Sequence, residues 1–373
     1  MSVIGNSLMI GSGGASSVIV IEELDSHGGI IKHIIAGSIE SLQSKSVTIS
    51  TAGTQTITAD SGYDGLSEVI VTTTGGGATE PYVEYVCNSS GDATSAKMYG
   101  FTKGIPIGLF AFNSYLTTVN LNDTTYTSHK ISNYVFRDCT QLTTITGTLF
   151  SSNEITQIGT YAFNNCQLLP IVNLPPALTT IDVYAFYNCK LLSVTSLPST
   201  VTTINNYAFQ GCTSLALTSL PNGLTTINTS VFYGCTSLAL TSLPSTLTTI
   251  NNNGFYGCTS LALTQIPSTV NSVGSYAFRQ CTGLTTIEIA CGSINTYCFY
   301  GCTGLTKVWI RSTCTTISAT SAANSPFVGC STSLEIYAEP STKPSGWGTY
   351  FNRTGTSGGT TVTVVYNQTT SPW

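Results

Sequence analysis

The sequence predicts a solenoid, a chain wound into stacked parallel coils, and three observations predict it. First, one 23-residue sentence is written four times between Ile181 and Ser272: IDVYAFYNCKLLSVTSLPSTVTT, INNYAFQGCTSLALTSLPNGLTT, INTSVFYGCTSLALTSLPSTLTT and INNNGFYGCTSLALTQIPSTVNS. Second, a Phe recurs once per sentence with a Cys three residues later, giving the series Cys139, Cys166, Cys189, Cys212, Cys235, Cys258, Cys281, Cys302 and Cys330. Third, Leu and Ile keep fixed offsets inside each sentence, so each unit has one apolar side that only a stacked neighbour can cover.

A period of this length, with Leu and Ile at set positions and a Cys or Asn slot, specifies a leucine-rich repeat solenoid. The Leu-x-x-x-x-Leu segment is expected to form a parallel sheet on the concave face. Pro175, Pro198, Pro221, Pro244 and Pro267 end that strand where a missing N–H is harmless. Thr-Thr-Ile should give a second short extended piece, and Tyr-Ala-Phe a helical or 3₁₀ turn on the convex face. The Phe, Leu and Ile side chains of one coil, at about 1.5–3 kcal/mol each, supply roughly 8–12 kcal/mol of gross apolar stabilisation. Ordering one coil costs at least as much, so a lone coil does not fold.

In chain order, residues 1–40 are Gly- and Ser-rich and read as a flexible start for assembly, with short apolar strands near Val18 and Ile30. Residues 41–78 alternate apolar and polar side chains and read as a small β module with turns at Ala52-Gly53 and Asp60 to Gly65, ending on Gly75 to Gly77. Residues 79–109 should cap the open first coil. The anchors Phe110, Phe136, Phe163, Phe186, Phe209, Phe232, Phe255, Phe278, Phe299 and Phe327 define repeats over 110–337, with spacings of 26, 27, five of 23, 21 and 28. Asn113 takes the Cys slot of the first coil. Residues 338–373 abandon the period, and Pro340, Pro344, Trp347 and Phe351 read as a lid, with TVTVVY as a last strand.

Composition narrows the function. Charged residues are 8% of 373 and the net charge is −5, which does not attract nucleic acid. From Leu191 to Phe278 there is no Asp, Glu, Lys, Arg or His, so the central surface is built from Ser, Thr, Asn, Gln and Tyr and suits a neutral polyhydroxy ligand or a close-fitting protein. No run reaches the roughly 18 apolar residues of a membrane span. The opening MSVIGNSLMIGSGGASSVIVIEEL lacks a basic stretch followed by an unbroken apolar one, so a chain kept in the cytosol, or released without a signal, is expected. One Cys per coil is a ladder of buried free thiols rather than a disulfide framework. Cys298 and Cys302, four apart with no His nearby, do not make a zinc set.

No catalytic constellation is legible. The histidines are His27, His33 and His129, no nucleophile motif or phosphate loop accompanies them, and the acids Asp123, Asp138, Glu154, Asp182, Glu288 and Glu335 form no column. The expectation is a non-enzymatic protein with no cofactor and no metal. Recognition would then fall on repeated surface columns. Seven residues past the Cys lie Asn173, Ser196, Ser219, Ser242, Gln265, Glu288 and Trp309, with Arg311 two further on; an exposed Trp beside an acid and an Arg would be a hot spot. Tyr187, Tyr233, Tyr256 and Tyr300 follow the Phe, and Tyr161, Tyr184, Tyr207, Tyr276 and Tyr297 stand two before it; such ladders pack between coils or stack on sugar rings.

The unit of a Leu–Ile strand, a Pro turn and I-x-x-x-A-F-x-x-C resembles the BspA-type, or Treponema-type, leucine-rich repeat from about Phe101 to Tyr337. The central coils depart from it at Leu215-Ala216-Leu217-Thr218-Ser219-Leu220. Either Thr218 points inward and Leu217, Leu240 and Leu263 form an exposed apolar column, or the strand kinks to bury them. Separately, Ser46 to Ile49, the turn Asp60 to Leu66 and Val69 to Val71 resemble a module of tail and other virion proteins of phages of gut bacteria. The resemblances together imply a phage virion component, made in the host cytoplasm. Residues 1–78 would dock to other virion proteins, as a homotrimer by analogy with phage fibres, and the solenoid would contact a host cell-surface protein or glycan. The alternatives are a BspA-like bacterial cell-surface adhesin for matrix protein or glycan, and a purely architectural virion spacer.

Overall fold

The described residues of this computed structural model are 18–21, 23–24, 29–35, 42–49, 55–58, 65–73, 82–87, 92–99, 101, 104–122, 124, 129–355 and 358–373. The turn expected at Ala52-Gly53, the turn expected at Asp60 to Gly65 apart from Gly65 itself, and the joint at Gly75 to Gly77 lie outside them. The strands expected around residues 46–71 are present as Leu42–Ile49, Gln55–Thr58 and Gly65–Thr73. The first and third pair in parallel and the second pairs with Val18–Ile21.

From Phe110 onward the coils stack. All ten anchor phenylalanines are buried, and consecutive rings lie 5.2–5.8 Å apart and within 18° of parallel. The row forms because the 23-residue period returns each Phe to the same azimuth, where a neighbouring ring is the best-fitting apolar partner.

The sheet lies elsewhere than the sequence suggested. In the central coils the parallel ladder runs along Thr-Thr-Ile: Lys130–Ile131, Gln157–Ile158, Thr180–Ile181 and Thr203–Ile204 form one sheet. Thr226–Ile227 to Thr316–Ile317 form a second. The seam falls where Asn228 Nδ2 donates to the Ile204 carbonyl at 2.8 Å. On the Leu-x-Leu face, strands form only toward the ends of the stack, at Thr118–Asn120 and Thr144–Thr146 and again from Gln265–Ile266 to Val364–Val365. Between them Leu215, Leu217 and Leu220 are buried while Thr218 and Ser219 both face outward. Two successive outward residues break the period of two that a strand requires. The chain therefore kinks, and Leu217, Leu240 and Leu263 join the core at 0%, 0% and 1% exposure; the exposed apolar column is not formed.

The Tyr-Ala-Phe segment is not helical; a 3₁₀ turn is found instead at Ala322–Asn324, outside the Tyr-Ala-Phe positions. Tyr184 and Asn188 instead take left-handed backbone, φ 57° at both. The N–H groups of Tyr184, Phe186 and Asn188 then cross to the Asn206, Ala208 and Gln210 carbonyls of the next coil, while those of Ala185, Tyr187 and Cys189 close turns within their own. Every donor of the segment is thereby satisfied. The residue before each slot Cys is left-handed throughout, and Gly211, Gly234, Gly257, Gly301 and Gly329 hold it without a Cβ penalty. Tyr134, Tyr161, Tyr184, Tyr207, Tyr276 and Tyr297 hold the other left-handed position, at about 1–2 kcal/mol each.

The nine slot thiols are free and buried. Each donates to the carbonyl of the preceding coil's Phe, as Cys212 Sγ does to Phe186 and Cys235 Sγ to Phe209 at 3.0 Å. That carbonyl also accepts its own Cys N–H, Cys189 N to Phe186 O at 3.1 Å. The thiol is thus both a small apolar filler and a coil-to-coil donor. Asn113 fills the slot at the start of the phenylalanine row, where no earlier anchor offers a carbonyl, and its Oδ1 accepts from Tyr115 and Leu116 N–H. Burial pushes the Cys139 thiol up to about 12, and raises Cys166, Cys189, Cys212, Cys235, Cys258, Cys281 and Cys302 as well.

Both ends are covered. The antiparallel pair Tyr82–Cys87 and Ala93–Tyr99 joins Thr118–Asn120, burying Val83, Tyr85 and Met98 against the first coil, with Tyr85 edge-on to Phe110 at 6.4 Å. At the other end Trp347 and Phe351 are buried, and Trp347 Nε1 donates to the Cys314 carbonyl at 2.8 Å.

Candidate functional site

The column seven residues past the Cys has two different halves. Ser219, Ser242 and Gln265 are exposed. From there the register continues Gln265, Glu288, Trp309, Tyr337, Val365 across paired strands. Trp309 is not an exposed hot spot. It is 4% exposed, its Nε1 donates to the Gln368 carbonyl at 3.1 Å, Trp373 packs edge-on at 6.3 Å, and the Arg311 guanidinium covers its ring at 4.3 Å. Arg311 is fully engaged as well. It donates to Glu288 Oε1 at 2.9 Å and to both oxygens of Glu339 at 3.2 Å. Glu339 also accepts from Ser312 N–H and Oγ, and these bonds lower its carboxyl from the ordinary value. Bonds to both glutamates raise Arg311. This is a clamp that fastens the last residues over the final coils, and sequence offered no periodic cue for a partner 59 to 64 residues away.

The tyrosines form an outer edge beside the phenylalanine row. Tyr134, Tyr161, Tyr184 and Tyr207 stack in order at 5.4, 4.8 and 4.6 Å. Ser230 and Asn253 then interrupt that row, and Tyr233 and Tyr256, stacked at 4.3 Å, take over in the position after the Phe. Tyr276 and Tyr297 resume it at 4.8 Å, with Tyr300 edge-on to Tyr297 at 6.0 Å. All are half-buried. Inside each run a ring face meets another ring, so a sugar does not stack there; what the row presents is edges and hydroxyls at the pitch of the coils. Desolvation first, then the neighbouring phenols, raises Tyr184 and Tyr233 above their ordinary value, so both stay protonated donors at neutral pH.

Two arginines sit in this edge. Arg137 lies over Phe112, Tyr134 and Tyr161 at 4.9, 5.7 and 4.9 Å, and pairs with Asp138 at 3.2 Å. Arg279 lies over Tyr256, Tyr276 and Tyr300 at 5.1, 5.4 and 4.7 Å. Such contacts hold a planar cation flat against rings. Sequence reading missed both, because each is assembled from three coils. Among the described residues no group of three or more His, Cys, Asp and Glu side chains is placed to hold a metal, and no helix is long and apolar enough to cross a membrane.

Coil period, phenylalanine row and thiol ladder together define a leucine-rich repeat solenoid. The model of the BspA type leucine rich repeat region matches residues 129–240 and 227–332, in six copies, together more than half of the chain. The chain belongs to that family. Among solved structures, a leucine-rich repeat protein from Bacteroides ovatus is similar at 21% identity over 75% of each chain, with a TM-score of 0.52, which supports the fold. A leucine rich cell surface protein from Faecalibacterium prausnitzii is 20% identical over 92% of this chain and 78% of its own, with a TM-score of 0.41. The pneumococcal vaccine antigen PcpA is 16% identical over 96% and 98%, with a TM-score of 0.33. No curated protein matches the chain in sequence.

Proposed function

We propose that this chain is a non-enzymatic recognition protein of the bacterial surface type, binding a host or neighbour-cell glycan or protein along its tyrosine edge. One observation carries the reading. Six tyrosines are held in left-handed backbone, where glycine would be strain-free, and Gly108 takes the equivalent place two residues before Phe110. The four stacked pairs among these six return about 0.5–1.5 kcal/mol each, less than the strain of six such residues at about 1–2 kcal/mol each, so packing alone does not favour the row. A regular array of phenol edges and hydroxyls on a surface with no charge from Leu191 to Phe278 suits a repetitive polyhydroxy or flat polar partner.

The family supports the adhesin reading over the virion one. The virion reading rests on residues 46–71, of which 50–54 and 59–64 lie outside the described residues, and docking or trimerisation through residues 1–78 rests on the same stretch. The opposite face is the weaker candidate, since Leu217, Leu240 and Leu263 are core and Trp309, Arg311 and Glu288 are engaged internally.

The test is binding of the full chain to a glycan array and to a panel of extracellular-matrix proteins. A Tyr233→Ala/Tyr256→Ala variant should lose about thirtyfold in affinity, the loss that removing two contacts of about 1 kcal/mol each implies. A Ser219→Asp/Ser242→Asp variant should bind like wild type. The reverse pattern would move the site to the Leu-x-Leu face and end the proposal.

A further inference from the structure

Arg279 lacks what Arg137 and Arg311 both have. Those two reach the carboxylates of Asp138 and of Glu288 and Glu339. Among the described residues the Arg279 guanidinium has no hydrogen-bond acceptor and no ion-pair partner, and its Nε is buried without one. A guanidinium offers five donors and cannot lose its proton, so a satisfied site needs acceptors from outside.

Comparison of two coils isolates the cause. Both arginines follow an anchor Phe and both rest on three aromatic rings, but the next residue is Asp138 in one coil and Gln280 in the other. The coils on either side add nothing back. Their residues at the Gln280 position are Gly257 and Gly301, and a Cβ there would touch only Gly234 and only Gln280. The edge beside Arg279 is therefore open, and from Leu191 to Phe278 no acidic side chain stands by to repel an anion. Tyr256 and Tyr300 occupy the same column one coil before and one coil after, so the cation is a rung between two phenols at 5.1 and 4.7 Å. Rings cover its faces and leave its in-plane N–H donors for a ligand, the geometry in which a carboxylate binds edge-on through both oxygens. The flanking surface supplies hydroxyls rather than an apolar slot, which fits a polyhydroxy ring bearing the acid better than a peptide side chain.

We propose that Arg279, framed by Tyr256, Tyr276 and Tyr300, binds the carboxylate of an acidic sugar. The proposal rests on the tyrosine-edge reading and gives it a ligand class. Two sources share this chemistry: a uronic acid within a polysaccharide and a sialic acid at a glycan terminus.

Calorimetric titration of the full chain at low salt tests it, with trigalacturonate and 3′-sialyllactose as acidic probes and methyl-esterified trigalacturonate and lactose as their uncharged counterparts. At least one acidic probe should bind, at least about tenfold tighter than its counterpart, as one charge-assisted bond implies. Arg279→Gln should lose that margin while keeping the fold, because Gln210 already occupies the same slot two coils earlier than Tyr256. Arg279→Lys should bind more weakly than wild type, and Lys307→Ala, which removes a cation from the Leu-x-Leu face, as tightly. Which acidic probe binds identifies the source. Silence of both acidic probes, equal binding of acid and ester, or an unchanged Arg279→Gln variant would each overturn the proposal. If neutral sugars bind and Tyr233→Ala abolishes it while Arg279→Gln does not, the edge reading stands and this inference falls.

Discussion

Replacing Phe232 by Ala removes one rung from the middle of the phenylalanine row. Phe232 is fully buried and stacks on Phe209 at 5.8 Å and on Phe255 at 5.6 Å. A buried Phe→Ala change costs about 3–5 kcal/mol through lost transfer energy and the cavity left behind. Two ring stacks, at about 0.5–1.5 kcal/mol each, put this site at the upper end, near about 5 kcal/mol. The substitution leaves the backbone carbonyl that accepts the Cys258 thiol in place, so the cost is one of packing. In a solenoid each coil contacts mainly its neighbours, so the damage should also appear as lost cooperativity. Urea unfolding followed by circular dichroism should show a single transition in wild type and two in the variant, with the less stable part lower by about 5 kcal/mol. A loss below about 2 kcal/mol with one sharp transition would refute the shared interior, since an isolated surface Phe behaves that way.

Other outcomes follow from the same geometry. Eight slot thiols, from Cys139 to Cys302, are raised in the folded state by burial, Cys139 from 9.0 to about 12. Unfolded thiols ionise first as pH rises, so their contribution is whole below about pH 9 and is lost through the window up to the folded values, by at most about 1.4 kcal/mol per pH unit per thiol. Alkaline unfolding should therefore begin above pH 9 and shift upward in a Cys235→Ala variant. Glu339 is lowered by its bonds to Ser312 and Arg311, so its contribution is present at neutral pH and lost as pH falls below the ordinary carboxylate value. Quenching of Trp309 and Trp373 fluorescence should report acid release of the last residues in wild type and release already at neutral pH in Glu339→Gln. Thr218→Ala, on the exposed kink, should change stability by less than about 0.5 kcal/mol in the same urea titration.

The period, the phenylalanine row and the thiol ladder were legible because each is a one-dimensional pattern that stacking converts directly into contacts. The place of the sheet was not. Leu215 to Leu220 reads as strand by composition, yet Thr218 and Ser219 both face solvent, and whether such a segment pairs depends on the kink of the coils beside it. The left-handed tyrosines run against local propensity and are held by neighbours, so no single coil announces them. Trp309 looked like an exposed anchor because its cover, Gln368 and Trp373, lies in residues that carry no repeat. Arg279 looked ordinary because an unmet charge is visible only once every nearby acid has been placed.

Residue-by-residue alkylation with iodoacetamide at neutral pH, read by mass spectrometry, tests the shared interior most directly. Cys139, Cys166, Cys189, Cys212, Cys235, Cys258, Cys281, Cys302 and Cys330 should stay unlabelled in the folded chain and all react once urea unfolds it. Rapid native labelling at several of them, or thiols already joined in pairs before reduction, would contradict a stack whose windings from Cys139 onward close over their sulfurs.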